Sequence, residues 1–311
     1  MKDRLERIVA RLEHFRLARL ERTPAGRISD DDSWGLSDED VEGTLVEHRA
    51  APLLFGTFPT ERVMADFECI GMLDRCRKLG YDELRVEFSA RDAFESRFCL
   101  MAHHPDVDEP CRLIDIRTHQ CEFNATSPLD GTELHMRALL LDWVSMEDPV
   151  RPLPVDALPG QKSPGLGIFR PGYRLTMSYL RRTSFDVVVN IPEFFHNAVL
   201  YSRDFRFFDP VRQGMFLAMK RDLMKAGLSR VSHAMSPAAE GPVATPVEHV
   251  ELREHPECVR WSPAEQILAL SGPIQDYIHD PRYTEAVHTA RAGHHYFLTR
   301  KDDDALKNAD A

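Results

Sequence analysis

Hydrophobic positions along the first half of the chain predict a helix followed by several strands. In residues 57–80, apolar side chains recur at every third or fourth position, and Gly80 is a plausible C-terminal stop. Apolar or alternating strand-like runs then occupy residues 84–90, 98–103, 111–117 and 133–146. Turn-forming residues between these runs predict short, hairpin-like connections. This half of the chain therefore has the pattern of an antiparallel sheet next to a helix.

In the second half, helical and strand-like patterns alternate. A segment rich in proline and glycine at 148–172 predicts a loop. The pattern after it predicts helices over 172–183, 192–205 and 211–227, a short buried strand over 185–192 and another strand over 206–210. We therefore expect a mixed α/β (α+β) fold, with one main, mostly antiparallel sheet flanked by helices.

The two ends of the chain predict additions to this central domain. Residues 1–24 have the pattern of an amphipathic helix, which would dock on its own core or on a second copy in a homodimer. An acidic run follows, and we expect it to form a solvated loop. A linker is predicted at 236–246, a strand at 248–254, short helices up to about 300, and frayed residues in the last eleven. The predicted domains are 1–50, 51–227 and 228–311.

Composition and charge argue against several functional classes of protein. The formal charge of −11 disfavours binding to nucleic acid, because such domains usually carry a basic face. No apolar stretch reaches the ~20 residues that a membrane helix needs, and the charged N-terminus lacks the apolar centre of a signal peptide. The six cysteines form no CxxC pair, which favours reduced thiols in a cytoplasmic protein without a membrane span.

The first candidate for chemistry is the sequence LPGQKSPGLG, which ends at Gly167. Gly165 and Gly167 lie between an apolar strand and a later helix, where glycines let backbone N–H groups face an anion. The spacing matches neither a P-loop nor a dinucleotide fingerprint. A surface loop without a ligand remains the alternative interpretation.

A second stretch, VVVNIPEFFHNAVLY, runs from a buried strand into a helix that contains Asn197 and Tyr201. Together the two stretches resemble the GNAT superfamily of N-acyltransferases. In that family a long fourth strand precedes a glycine loop that holds the pyrophosphate of coenzyme A. A fifth strand diverges from the fourth, and pantetheine lies in the space between them. The resemblance implies a GNAT-like sheet, with residues 139–146 as the fourth strand and 187–191 as the fifth.

The resemblance also implies roles for individual residues. The residues of the donor-binding loop and helix would be Gln161, Gly165, Leu166, Gly167 and Asn197. Tyr201 would be the general acid that protonates the departing thiolate. The donor would be acyl-coenzyme A or acetyl-coenzyme A. The glycine loop is one residue longer than the family spacing, and an acyl carrier protein is therefore an alternative donor.

The base that accepts the amine proton has several candidates. Glu193 and His196 follow the fifth strand and lie at the expected mouth of the site. Their alternative roles are a first-turn carboxylate favoured by the helix dipole and a hydrogen-bonding histidine at a helix start. Asp142 and Glu147, near the end of the fourth strand, could bind a substrate amine or simply face water. We predict no metal, because the spacing at His103 and His104 matches no common zinc pattern.

We therefore expect an N-acyltransferase that acts on a small-molecule or protein amine by direct attack on an acyl-thioester. The alternative is a GNAT-like scaffold without catalysis, which would bind a ligand or another protein. A hydrolase lacks support, because the sequence contains neither GxSxG nor HExxH.

Overall fold

The structure is a computed structural model that describes residues 53–90, 94–236, 248–253 and 255–300. The predicted N-terminal helix and acidic loop therefore lie outside the described residues. So do the last eleven residues and all but the first residue of the predicted linker.

Two short helices precede the sheet where the sequence predicts one helix over 57–80. Helix α1 spans Thr60–Cys69 and helix α2 spans Met72–Lys78. Gly71 separates them with φ +74°, a left-handed conformation that suits glycine and ends the first helix. Both helices place apolar side chains against the sheet, namely Val63, Phe67, Met72, Leu73 and Cys76.

Four antiparallel strands follow, and they form one half of the main sheet. They are β1 (Asp82–Ala90), β2 (Glu95–His104), β3 (Val107–Thr126) and β4 (Glu133–Met146). The predicted bounds of β4 are confirmed. Strand β3 runs nine residues beyond the predicted 111–117 because its residues 114–126 pair with β4. Polar residues such as Gln120 and Glu122 obscure this extension in the sequence.

Helices and short strands alternate in the next part of the chain. They are α3 (Phe169–Leu180), β5 (Val187–Asn190), α4 (Phe195–Tyr201), β6 (Arg206–Phe207), α5 (Pro210–Leu223) and α6 (Leu228–Met235). The predicted start of the first of these helices, at residue 172, is wrong by three residues. Pro171 lies in the first turn of α3, where its missing N–H breaks no helical hydrogen bond.

The C-terminal segment adds a second, smaller sheet and one strand of the main sheet. Its elements are β7 (Glu248–Leu252), β8 (His255–Val259), β9 (Gln266–Ala269), α7 (Gly272–His279), α8 (Pro281–Gly293) and β10 (Tyr296–Arg300). Strand β9 pairs with both β5 and β6, although it belongs to the predicted C-terminal extension. The main sheet is therefore completed by residues beyond 227.

The main sheet has seven strands in the order β1-β2-β3-β4-β5-β9-β6. All of its neighbouring pairs are antiparallel except β4 and β5, which are parallel. The fold is thus mixed α/β, with a large, mostly antiparallel sheet flanked by helices, as the sequence predicts. Among the described residues, no helix combines the length and the apolar character needed to cross a membrane.

The two faces of the sheet have different coverings, and this difference positions the candidate site. Helices α1, α2 and α3 pack on one face, here called the α3 face, against Leu139 and Val188. Helices α7 and α8 cover part of the opposite face, against Ala138 and Val187. Side chains alternate between the faces along β4 and β5. A gap between these two strands would therefore connect the two sides of the sheet.

Candidate functional site

Strand β4 runs on beyond the end of its parallel neighbour. The last residue pair between β4 and β5 is Leu141 with Asn190. Further along β4, the Leu166 N–H donates to the carbonyl of Met146 at 3.3 Å, and the Asp148 N–H donates to the carbonyl of Pro164 at 2.8 Å. Among the described residues no strand pairs with this edge between those two points. We call these four residues, 142–145, the open edge of β4; they span about 13 Å of strand.

The predicted glycine loop forms the far end of this open edge. Gly165 lies opposite Glu147 in an isolated antiparallel bridge, and Gly167 has φ +75°. Helix α3 begins two residues after Gly167. A helix start leaves backbone N–H groups without intrahelical partners and with a partial positive charge, which favours an anion. The glycine loop therefore joins the end of β4 to an anion-attracting helix terminus.

Basic side chains surround this loop. Arg75 of α2 donates from Nε to the carbonyl of Leu166 at 3.4 Å, and Arg151 donates from Nη2 to the carbonyl of Gly165 at 3.4 Å. Arg170 and Arg174, on the first turns of α3, are exposed and form no ion pair with a described acidic residue. Sequence patterns alone do not identify Arg75, because it is distant in the chain from the loop that it contacts.

The structure gives Gln161 and Leu166 internal roles. The side-chain oxygen of Gln161 accepts from the Leu158 N–H at 3.0 Å, and its amide nitrogen donates to the carbonyl of Ser163 at 2.9 Å. Leu166 is buried, and its N–H bonds to β4. Gln161 therefore shapes the loop. The N–H groups of Gly165 and Gly167 form no backbone hydrogen bond with a described residue. They are therefore better placed than the Leu166 N–H to donate hydrogen bonds to an anion.

Tyr201 lies beside the first turns of α3. Its ring centroid is 6.4 Å from that of Phe169 and 6.2 Å from that of Tyr173. No described residue forms a hydrogen bond with its hydroxyl group, and part of the side chain reaches solvent. Desolvation raises the pKa of Tyr201 to about 12, so the hydroxyl carries its proton at neutral pH. The structure thus brings Tyr201 together with the helix that follows the glycine loop.

Asn197, Glu193 and His196 have different surroundings. Asn197 is half-buried one helical turn before Tyr201 on the same face of α4. Glu193 is exposed in the turn before α4. His196 is 6% exposed and stacks on Phe194 with centroids 5.4 Å apart. Of these three, Asn197 is aligned with Tyr201, whereas His196 packs at the start of the helix.

His196 is electrically neutral in this environment. Burial lowers its pKa to about 4, and the nearby His233 of α6 lowers it further. The His233 ring itself contacts the carbonyl of Ala157 at 2.8 Å. His196 therefore lies between α4, α6 and the loop before the glycines, and its Nδ1 is buried without a described hydrogen-bond partner.

Asn190, the last residue of β5, was not among the predicted site residues. It is 4% exposed, and neither its amide nitrogen nor its amide oxygen has a hydrogen-bond partner among the described residues. It shares its face of the sheet with Val188, which lies in the core beneath α1, α2 and α3. A buried amide without partners costs about 1–3 kcal/mol. The signal in the sequence is a polar residue that ends the apolar run VVV.

On the opposite face, β4 carries an irregularity at Asp142. Leu141 pairs with Thr118 and Trp143 pairs with Arg117, so Asp142 is an extra residue in β4. This bulge begins where the pairing with β5 ends. Trp143 is 48% exposed, and the Arg117 guanidinium lies 5.9 Å from its ring centroid.

The Asp142 side chain is exposed, and the pKa of its carboxylate is raised. Desolvation raises its pKa to about 6, Glu95 contributes in the same direction, and His119 and Arg117 partly oppose the shift. The same carboxylate adds to the desolvation that raises the pKa of Cys121 to about 11. Its side chain keeps enough exposure for a substrate to reach it. Desolvation also raises the pKa of Glu147, with Lys162 opposing.

The described residues contain no group of three or more histidine, cysteine, aspartate or glutamate side chains suited to hold a metal ion. His104, one of the two histidines whose spacing matches no zinc pattern, packs edge-on against Tyr81 with ring centroids 5.0 Å apart. Its Nδ1 accepts a hydrogen bond from the Asp106 N–H at 3.2 Å.

The open edge of β4 thus has Asn190 at one end and the glycine loop at the other, with Tyr201 beside α3 and Asp142 on the opposite face. Comparison with known proteins adds nothing to this geometry, because no protein-family model and no curated protein sequence matches the chain.

Proposed function

We propose that this chain is a GNAT-type N-acyltransferase, which moves an acyl group from an acyl-coenzyme A to an amine. The observation that carries the proposal is the open edge of β4. The parallel strand β5 ends at Asn190, opposite Leu141 of β4. After the four residues 142–145 of the open edge, the glycine loop hydrogen-bonds to β4, next to the start of α3. This order of features is similar to the diverging strands and glycine loop of that superfamily.

The residues present fit a coenzyme A donor at both ends of its arm. The N–H groups of Gly165 and Gly167, the start of α3 and Arg75 would hold the pyrophosphate. The pantetheine arm carries secondary amides, each with one donor and one acceptor. The Asn190 side chain needs both kinds of partner. The donor supplies an activated acyl group as its thioester.

The amine would reach the gap from the face of Asp142 and Trp143. Two carboxylates with raised pKa values, Asp142 and Glu147, lie on that side of β4. A base must be deprotonated at the working pH and still accept a proton, which favours a pKa near 6 or 7. In our proposal Asp142 is this base. Glu193 and His196 remain the earlier candidates, but the low pKa of His196 makes it a weak proton acceptor.

The chemistry then needs a proton donor at the leaving sulfur. The amine nitrogen forms a bond to the acyl carbon, the carbon–sulfur bond breaks, and the amine proton passes to Asp142. The Tyr201 hydroxyl, which has no described partner, donates a proton or a hydrogen bond to the thiolate. Each role thus falls on a group whose protonation state at neutral pH suits it.

Thiol release from acetyl-coenzyme A, measured over a panel of primary amines, tests the proposal. We expect turnover with at least one amine in the wild type and little turnover in Tyr201→Phe. A matched control is Tyr283→Phe, at a tyrosine of α8 outside the proposed site, which should keep full turnover. If the wild type binds acyl-coenzyme A but turns over no amine, the non-catalytic scaffold becomes the better account.

An acyl carrier protein is a second candidate donor, and one observation favours it. Arg75, Arg170 and Arg174 form an exposed basic group in a chain with a net charge of −11, and a carrier protein with an acidic surface would match it. Such a donor would present the same arm to Asn190. Competition between a loaded carrier protein and acetyl-coenzyme A would separate the two donors.

A further inference from the structure

A cavity lies outside the proposed active site, at the junction of α5, β7 and β10. Its volume is about 540 Å³, within the range of small-molecule sites. It is lined by Arg221, Asp222, Lys225, Arg253, His295, Tyr296 and Phe297. None of these residues has a role in the proposed acyl transfer.

The floor of this cavity is a fixed ion pair. The Arg221 guanidinium binds both carboxylate oxygens of Asp222, at 2.6 and 2.7 Å, and donates to the carbonyls of Arg291 and His294. Asp222 also accepts from the Tyr296 N–H at 2.9 Å. These bonds hold the end of α5 against the start of β10. The charge of Arg221 is thus balanced by Asp222.

The rim carries positive charge that is not balanced in this way. Lys225 and Arg253 are exposed, and neither forms an ion pair with an acidic residue that the structure describes. The Arg253 N–H donates to the carbonyl of His295 at 2.9 Å, which fixes these two neighbours side by side. The cavity therefore has the opposite sign to the chain, whose formal charge is −11. A concave site of one sign raises the local concentration of counter-ions.

We propose that this cavity binds a small phosphate-bearing molecule, with Lys225 and Arg253 holding the phosphoryl oxygens. A phosphoryl group brings up to two negative charges, which matches the two rim cations better than a single carboxylate does. His295, whose Nδ1 lies 3.2 Å from Nη2 of Arg221, adds a third polar side chain. The volume exceeds that of a lone phosphate, and Phe297, 39% exposed, offers an apolar surface to the rest of the molecule.

Calorimetric titration with inorganic pyrophosphate tests this inference at low and at physiological salt. We expect a saturable site in the wild type whose affinity Lys225→Glu lowers by about tenfold or more, whereas Lys78→Glu, and Arg75→Ala at the glycine loop, leave the affinity of this site unchanged. Lys78 is a matched control because it is an exposed lysine at the end of α2. Arg253→Ala gives a second variant if Lys225→Glu fails to fold.

The outcomes separate this site from the proposed donor site. Acetyl-coenzyme A should bind the wild type and Lys225→Glu equally, since the glycine loop is untouched. An absence of saturable pyrophosphate binding, or equal affinity in the wild type, Lys225→Glu and Arg253→Ala, would overturn the inference. A protein that binds pyrophosphate at Lys225 but does not bind acetyl-coenzyme A would support this site and contradict the proposed function.

Discussion

Replacing Asn190 by leucine should stabilise the free protein and weaken donor binding at the same time. The side chain is 4% exposed, and neither of its polar atoms has a described partner. Leucine has the same number of side-chain heavy atoms and no polar group to desolvate. The change should therefore recover roughly 1–3 kcal/mol, the usual cost of a buried polar group left unpaired. At about 3 °C per kcal/mol, Tm should rise by ~3–9 °C.

Donor binding should change in the opposite direction. If the Asn190 amide makes two neutral hydrogen bonds to the arm of the donor, at about 1 kcal/mol each, leucine loses both. The dissociation constant for acetyl-coenzyme A should then increase roughly 30-fold. Thermal unfolding without ligand and calorimetric titration with acetyl-coenzyme A measure the two effects independently.

Gln266 provides a matched control in the neighbouring strand. It pairs in register with Asn190 and is also buried, but its amide nitrogen donates to the carbonyl of Ala198 at 3.3 Å, and only its amide oxygen is without a described partner. Gln266→Leu, which loses that hydrogen bond, should therefore gain less stability than Asn190→Leu. Asn190→Leu would refute the reasoning if it lowered Tm and left acetyl-coenzyme A affinity unchanged, because Asn190 would then have a structural role only.

Three further variants test other parts of the site. Tyr201→Phe should lower kcat by about 10²–10⁴-fold. Its Tm should be nearly unchanged, because the hydroxyl has no described partner. A kcat equal to that of the wild type would remove Tyr201 from the mechanism. Wild-type kcat/KM should rise with pH through about 6 as Asp142 loses its proton, and Asp142→Asn should abolish this limb of the profile. Because folding raises the pKa of Asp142 from its ordinary value of about 4 to about 6, the free energy of unfolding of the wild type should fall as the pH rises from about 4 to 6. Asp142→Asn should not show this loss of stability. Gly167→Ala should cost about 1–2 kcal/mol in urea unfolding, because φ is +75° there, and an unchanged midpoint would contradict this.

Local patterns in the sequence predict the long elements well. Strand β4 has the predicted bounds, and β5 lies within the predicted buried strand because three valines in succession favour a strand covered on both faces. The start of α3 is mispredicted because Pro171 and Gly172 have the appearance of a loop, although proline is tolerated in a first turn.

Pairing and register are less accessible from the sequence. Strand β9 has four residues, too few for a periodic signal, yet it lies between β5 and β6. The parallel pairing of β4 with β5 depends on contacts between residues about 50 positions apart. The contact of Arg75 with the glycine loop joins residues 91 positions apart. Long-range contacts of this kind also make Asn190 part of the site, since its lack of partners becomes evident only in three dimensions.

Titration of the wild type with acetyl-coenzyme A, followed by thermal unfolding, tests the central claim most directly. A ligand that binds only the folded state should add ~2.7 kcal/mol at about 100 times its dissociation constant. We predict a saturable rise in Tm that is smaller in Arg75→Ala, because Arg75 lies over the glycine loop. A flat titration with both acetyl-coenzyme A and a longer-chain acyl-coenzyme A would contradict the proposal that the open edge of β4 holds a coenzyme A donor.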